Sequence, residues 1–337
     1  MSTKPMNIRI CSLIIFLASI SLAACNRTLS PAPPDSSILR VATRARTAAE
    51  RIEITPQRQA AASWMAPGAA EQDLLYVTDV RAVTVYLYPE GKLEGTLKGF
   101  YIAYGACVGK RGDIFIVDGG YFKIFEYAHG GTKRIATLNS STADPNGCAI
   151  DPTTGNLAVA SLGFGSDGSI EVYKNARGTP TLYRDSAFQE YWLCGYDNKG
   201  NLFVDGQDYE NNFVFAELPR GSNTLKTLTL NQSIGWPGGV QWDGKYVAVG
   251  DQNSPVIYQF SIKGSHGTKR GTTTMASGAR FVDQYFIDGQ TLIAPNQLGG
   301  STSDVLFYKY PTGGDATKII TKDVRAAHGV VVSDAAK

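Results

Sequence analysis

The residues that could do chemistry in this chain are a scatter of carboxylates and carboxamides and three histidines. The first group comprises Asp79, Asp118, Asn146, Asp205, Asp208, Asp251, Asn296 and Asp304; the histidines are His129, His266 and His328. Oxygen donors of this kind suit polar ligands or a hard cation, and a histidine suits proton transfer. No G-x-S-x-G nucleophile elbow, phosphate-binding glycine loop or paired-cysteine zinc spacing accompanies them. A Ser-His-Asp site assembled from distant residues stays open, because a triad is defined by geometry and not by order. A second set of side chains, aromatic, lies at Phe100, Tyr101, Tyr104, Phe188, Tyr191, Trp192, Trp236, Phe281 and Tyr285. Whether the two sets meet depends on the elements that carry them.

Those elements repeat. "GDIFIVD" at 112–118, "GNLAVAS" at 155–161 and "GNLFVDG" at 200–206 are versions of one phrase. Its glycines, Gly112, Gly155, Gly200, Gly244 and Gly289, recur at intervals of 43, 45, 44 and 45. Each follows a polar residue and opens a strand-like run, and "DLLYVTD" at 73–79 fits the same slot without its glycine. A period in the forties built from short alternating strands is the mark of a β repeat architecture. Residues 104–139 divide into four strands, "GACVG", "DIFIVD", "FKIFEYA" and "KRIATL", with glycine in the tight turns where φ is often positive.

Four strands per unit describe the blade of a β-propeller, and third strands from "VTVYLYP" to "VLFYKYP" count six blades. The chain enters at the second strand of blade 1. The missing innermost strand is assigned to "HGVVVS" at 328–333, which closes the ring and removes an exposed sheet edge. The expected fold is therefore all-β, a six-bladed propeller of four-stranded blades over residues 71–334.

In this architecture the aromatic set falls on the connections into the innermost strands. The polar set falls mainly between second and third strands, around the mouth of a central channel. Most of the aromatics are expected to wedge between blades and most of the aspartates to cap turns, with two or three groups reaching the open mouth. The residues assigned to a ligand-binding mouth are Tyr104, Asp118, Asn146, Trp192, Asp205, Trp236, Asp251, Tyr285 and His328. Aromatic faces beside carboxylates suit a sugar, a peptide or a partner's surface. His129 and His266 fall in third-hairpin turns, away from that mouth.

"PNGCAIDPTTGNLAVAS" (145–161), "YDNKGNLFVDG" (196–206) and "PGGVQWDGKYVAVGD" (237–251) resemble the blades of NHL-type and gluconolactonase-like (SMP-30-like) six-bladed propellers. The gluconolactonase-like resemblance implies a divalent metal at the channel that polarises a lactone and activates water. Carried over by motif, Asn146 is a ligand. The other positions fall on Gly238 where that family has aspartate, on His328 where it has glutamate, and in "AYGAC", which supplies no asparagine. Metal-dependent hydrolysis of a lactone or ester is therefore the alternative to a binding role, and a divalent metal is the cofactor only under that alternative.

Cys107, Cys148 and Cys194 fall on innermost strands of three successive blades. A bridge needs Cα atoms within about 6.8 Å, closer than a regular hub brings neighbouring strands. The expectation is three small buried thiols, with a single Cys107–Cys148 bridge as the alternative.

The N-terminal residues carry a different message. Lys4 and Arg9 precede an apolar run at 10–22, too short to span a bilayer. The run ends in "LAAC" at 22–25, which resembles the lipobox of bacterial lipoproteins. That resemblance implies cleavage after residue 24 and acylation of Cys25, with Asn26 rather than aspartate favouring the outer membrane. Residues 25–70, with "SPAPPDSS" and an arginine-rich stretch, read as a tether. Without Lys4 and Arg9 the chain holds 30 basic and 30 acidic side chains, so charge gives no case for nucleic acid. The sequence reading is a lipid-anchored protein of the bacterial cell envelope, bound to the membrane through Cys25. Its propeller mouth would bind an envelope protein, a peptide or a glycan.

Overall fold

The computed structural model describes residues 62–299 and 302–335. The leader, Cys25 and most of the tether lie outside the described residues.

Six antiparallel sheets follow one another around a ring. Blade 2 shows the pattern: Ala103–Val108 innermost, then Ile114–Asp118, Lys123–Tyr127 and Arg134–Asn139 at the rim. Blade 3 runs from Pro145–Ile150 to Thr181–Tyr183, blade 4 from Glu190–Tyr196 to Lys226–Thr227, and blade 6 from Phe286–Asp288 to Lys318–Ile320. In blade 5, Pro237–Trp242 is innermost and His266–Thr274 carries an extra parallel strand, Thr229–Leu230, on its outer edge. The period has a physical origin: Gly112, Gly155, Gly200, Gly244 and Gly289 all have φ between 53° and 96°, a region that side chains with a Cβ rarely adopt.

Blade 1 closes the ring. Its innermost strand is Gly329–Ser333, paired antiparallel with Leu74–Thr78 in a register from Leu74↔Ser333 to Thr78↔Gly329. Three side-chain bonds lock it. The Thr78 hydroxyl oxygen accepts from Gly329 N at 2.8 Å, Ser333 Oγ donates to Gly112 O at 3.0 Å, and His129 Nδ1 lies 2.7 Å from Ser333 Oγ. His129 thus serves closure at the end away from the mouth. The last residues of the predicted tether also join this blade, where Trp64–Met65 pair with Gly95 and Thr96 as a fifth, outermost strand.

The core lies between blades. The blade 2–3 interface packs Phe115, Val117 and Ile124 against Leu157, Val159 and Tyr173. Each sheet therefore buries both faces, which explains strands that read as nearly continuous apolar runs.

The cysteine expectation is corrected here. Cys107 and Cys148 form a disulfide with Cα atoms 5.7 Å apart, and Cys194 is free and buried. Register gives the reason. Cys148 pairs with Val159 and Cys194 with Val204, equivalent positions, whereas Cys107 pairs with Phe115, one residue further along. A one-residue offset turns a side chain to the opposite face of its sheet. Cys107 therefore faces blade 3 and meets Cys148, while Cys194 sits in the blade 3–4 core.

The hub is also tighter than a regular ring suggests. Five innermost strands carry a glycine at the axis, Gly105, Gly147, Gly195, Gly239 and Gly329. A Cβ on Gly105 would stand 2.6 Å from Asn146 O, and one on Gly195 only 2.3 Å from Val240 O. At those distances neighbouring innermost strands pack backbone against backbone.

Candidate functional site

The upper end of the ring carries the connections into the innermost strands and the loops between second and third strands. Many predicted mouth residues are structural there. Asp118, fully buried, accepts the amides of Tyr101, Ile102, Gly120 and Tyr121, and so ties the incoming connection to the following loop. Asp251 does the same with the amides of Gly235, Trp236 and Asn253. Asn296 accepts from Arg280 N and donates to Gly278 O and Asp304. These are Asx-type caps that hold the loops in place.

Tyr285 and Asp205 do not line an open mouth either. Tyr285 is buried, its ring occupying the space beside Gly239 and Gly250 that side chains would otherwise fill. Asp205 is fully buried between blades 4 and 5, and its Oδ1 accepts from Leu193 N at 2.9 Å. Burial pushes its carboxyl well above the usual range and outweighs the Leu193 amide, with Asp283 adding to the rise. Phe100, Phe188 and Tyr191 are likewise buried, with the Phe188 and Tyr191 rings stacked at 4.5 Å.

Two groups of the predicted residues do come together. His328 meets Tyr104 edge-on with ring centroids 5.0 Å apart. His328 Nδ1 is 3.5 Å from Asp283 Oδ2 and 3.1 Å from the Gln297 carboxamide, and Gln252 donates to Asp283 Oδ1 at 3.1 Å. Across the hub, Trp192 and Trp236 meet edge-on at 5.6 Å; Trp192 Nε1 donates to Glu190 at 3.0 Å, and Asn146 Nδ2 donates to Trp192 O at 2.9 Å. Asp283, Gln252, Gln297 and Glu190 were not foreseen, because they sit at positions the repeat does not mark. The His328 ring hydrogen-bonds a carboxamide rather than a hydroxyl or thiol that it could activate.

The metal-ligand pattern implied by the resemblance does not fit these residues. Asn146 is buried and bonded to Trp192 O. Gly238 and Gly105 are packed so that even a Cβ would stand 2.8 Å and 2.6 Å from backbone atoms, leaving no room for a ligand side chain. Among the described residues no three His, Cys, Asp or Glu side chains are grouped to hold a metal ion.

Outside the hub, the upper loops of three successive blades carry large exposed rings. Tyr121 and Phe122 lie on blade 2, Phe164 on blade 3 and Tyr209 on blade 4, with Phe164 and Tyr209 exposed by 56% and 59%. Tyr121 lies 5.6 Å from Tyr101, which has Arg81 over its face, and Tyr209 Oη donates to Asp167 across the blade 3–4 boundary at 2.7 Å. Together they form a crescent of aromatic faces.

The chain matches no protein-family model, and no curated protein is significantly similar to it. Solved structures are similar in fold. One is a chain of the nidogen/laminin complex, with a TM-score of 0.63 and 12% identity, the match covering 79% of this chain and 100% of that one. Another is a protein of unknown function from Bacteroides caccae, with a TM-score of 0.58 and 13% identity over 78% of this chain and 99% of that one. At such identity the likeness carries the architecture and nothing further: the chain is a six-bladed β-propeller.

Proposed function

We propose that this protein is a lipid-anchored scaffold or recognition module of the bacterial cell envelope, held through acylated Cys25, that binds a partner on the upper face of its propeller. The observation that carries the reading is the aromatic crescent of Tyr121, Phe122, Phe164 and Tyr209 on adjoining loops. Grouped solvent-facing rings on a rigid scaffold mark interaction surfaces, and aromatic anchors dominate binding interfaces. The spread of the crescent over three blades suits a protein surface or an extended peptide better than a single sugar. A propeller of the same architecture occurs in the nidogen/laminin complex, a protein–protein assembly. The leader, the "LAAC" motif and the tether support placement in the envelope, with Asn26 favouring the outer membrane.

Photo-crosslinking in intact envelopes tests the reading. A crosslinkable residue at Phe122 or Phe164 should give a discrete adduct, and one at Lys199, in a lower turn, should give none. Equal or absent adducts at both ends would overturn it. Protease sensitivity of the adduct separates a protein or peptide from a glycan. Cys25→Ser should move the protein from the membrane to the soluble fraction.

A further inference from the structure

Blade 4, like blades 3 and 6, has an outer strand that stops short of the start of its third strand. Its third strand, Phe213–Leu218, is covered by an outer strand of two residues, Lys226–Thr227, which pairs only with Ala216 and Glu217. In blade 2 the outer strand reaches the first residue of the third, Lys123↔Asn139. After Thr227 the chain crosses to blade 5, where Thr229–Leu230 pair in parallel with His266 and Gly267. The fourth strand of blade 4 is thus split between two blades, and a cleft of about 790 Å³ opens where it would have continued.

The cleft has the chemistry of a strand site. Leu228 N donates to Phe215 O at 2.8 Å on the outer side. By the alternation of an antiparallel strand, the N–H and C=O of Phe213 point the same way. Among the described residues no strand pairs with Phe213 or Val214 there. The lining is mixed: Phe213 and Phe215, stacked at 6.3 Å, form an apolar wall with Leu228, Leu230 and Ile234, and Asn212, Thr229, Gln232 and Ser233 line the rest. The one charged residue lining the cleft is Asp208, whose carboxyl is held below the usual range by the side chain and backbone of Asn212.

We propose that this cleft binds an extended peptide, which completes blade 4 by pairing with the open edge at Phe213. It would place an aromatic or branched apolar side chain against Phe213, Leu230 and Ile234 and a neighbouring basic residue beside Asp208. Backbone hydrogen bonds supply the docking and the apolar wall and single anion supply the choice, the division of labour in strand-addition recognition. The site is separate from the hub and rests on neither the lipid anchor nor the aromatic crescent.

The test is selection of a displayed random dodecapeptide library against the folded protein, followed by titration of the enriched peptides. Enriched sequences should share a basic residue beside an aromatic or β-branched one. They should bind at least tenfold more weakly to Phe213→Pro, which removes the outward N–H, and to Leu230→Glu, which places a carboxylate in the apolar wall. Asp208→Asn should cost about threefold, the scale of an exposed ion pair. Unfolding midpoints identify any variant that fails to fold, and the milder Asp208→Asn then stands as the readout. No enrichment, or peptides that bind these variants as tightly as the native chain, would overturn the proposal. Peptides lost instead in Phe164→Ser would also overturn it, while supporting the aromatic crescent as the binding surface.

Discussion

The side chain of Gln284 bonds both backbone groups of Ala106 from the far side of blade 1. Its Oε1 accepts from Ala106 N at 2.9 Å and its Nε2 donates to Ala106 O at 2.8 Å. Gln284 also forms a parallel bridge with Gly329, so one residue joins blades 6, 1 and 2 at the hub. A side-chain amide here plays the part of a strand partner, and the glycines at 105 and 329 leave it room.

Gln284→Ala should therefore destabilise the propeller well beyond the loss of a surface contact. It leaves a buried amide and carbonyl of Ala106 without these partners, at a cost of about 2–4 kcal/mol. Chemical unfolding measures it; a change below about 0.5 kcal/mol, the range of ordinary surface substitutions, would show that the hub does not depend on this bridge.

The Cys107–Cys148 bridge closes a sequence separation of 41 residues. In the chain-entropy picture its loss costs about 3–4 kcal/mol. Thiol titration of a soluble form starting at Asn26, denatured without reductant, should find one reactive cysteine, Cys194. Three reactive thiols would contradict the bridge, and unfolding of Cys107→Ser gives the energy.

Asp205 sets a pH dependence whose sign follows from burial. Its folded pKa lies above the unfolded value of about 3.9, so between the two the native state holds the extra proton. The stability this group contributes is full below about pH 3.9 and falls as pH rises through the folded value. Asp205→Asn cannot titrate, so its stability relative to the native chain should rise as pH increases above about 4. Thermal unfolding across that range checks it. A flat difference would mean that the carboxyl stays ionised in the folded protein.

Addition of calcium, magnesium, manganese or zinc after chelation should leave the unfolding midpoint unchanged, because two of the positions that would carry a metal in gluconolactonase-like propellers are glycines without room for a donor and Asn146 is bonded to Trp192 O. A ligand that binds only the folded state must raise the midpoint. A saturable rise with one ion would bring the hydrolase alternative back, with Asn146 as the first residue to replace.

Much of the architecture was legible because it is local. A glycine with positive φ is needed at each first turn, and strands of fixed length follow it, so both the period and the orphan strand at 329–333 show in one dimension. The aromatic and acidic sets were legible as types but not as roles. Asp118 and Asp251 read the same whether they cap a loop or face a ligand, and only their amide partners decide.

By itself, then, the sequence determined the blades, their number and the closing strand, since turn chemistry and strand patterning act over a few residues. The tertiary structure alone decided what long-range approach controls. Cys107 is offset by one residue from its counterparts and so faces Cys148, and glycines on the innermost strands let neighbouring strands approach closely. The outer strand of blade 4 stops after two residues because its continuation pairs with blade 5, and that leaves the edge at Phe213 open.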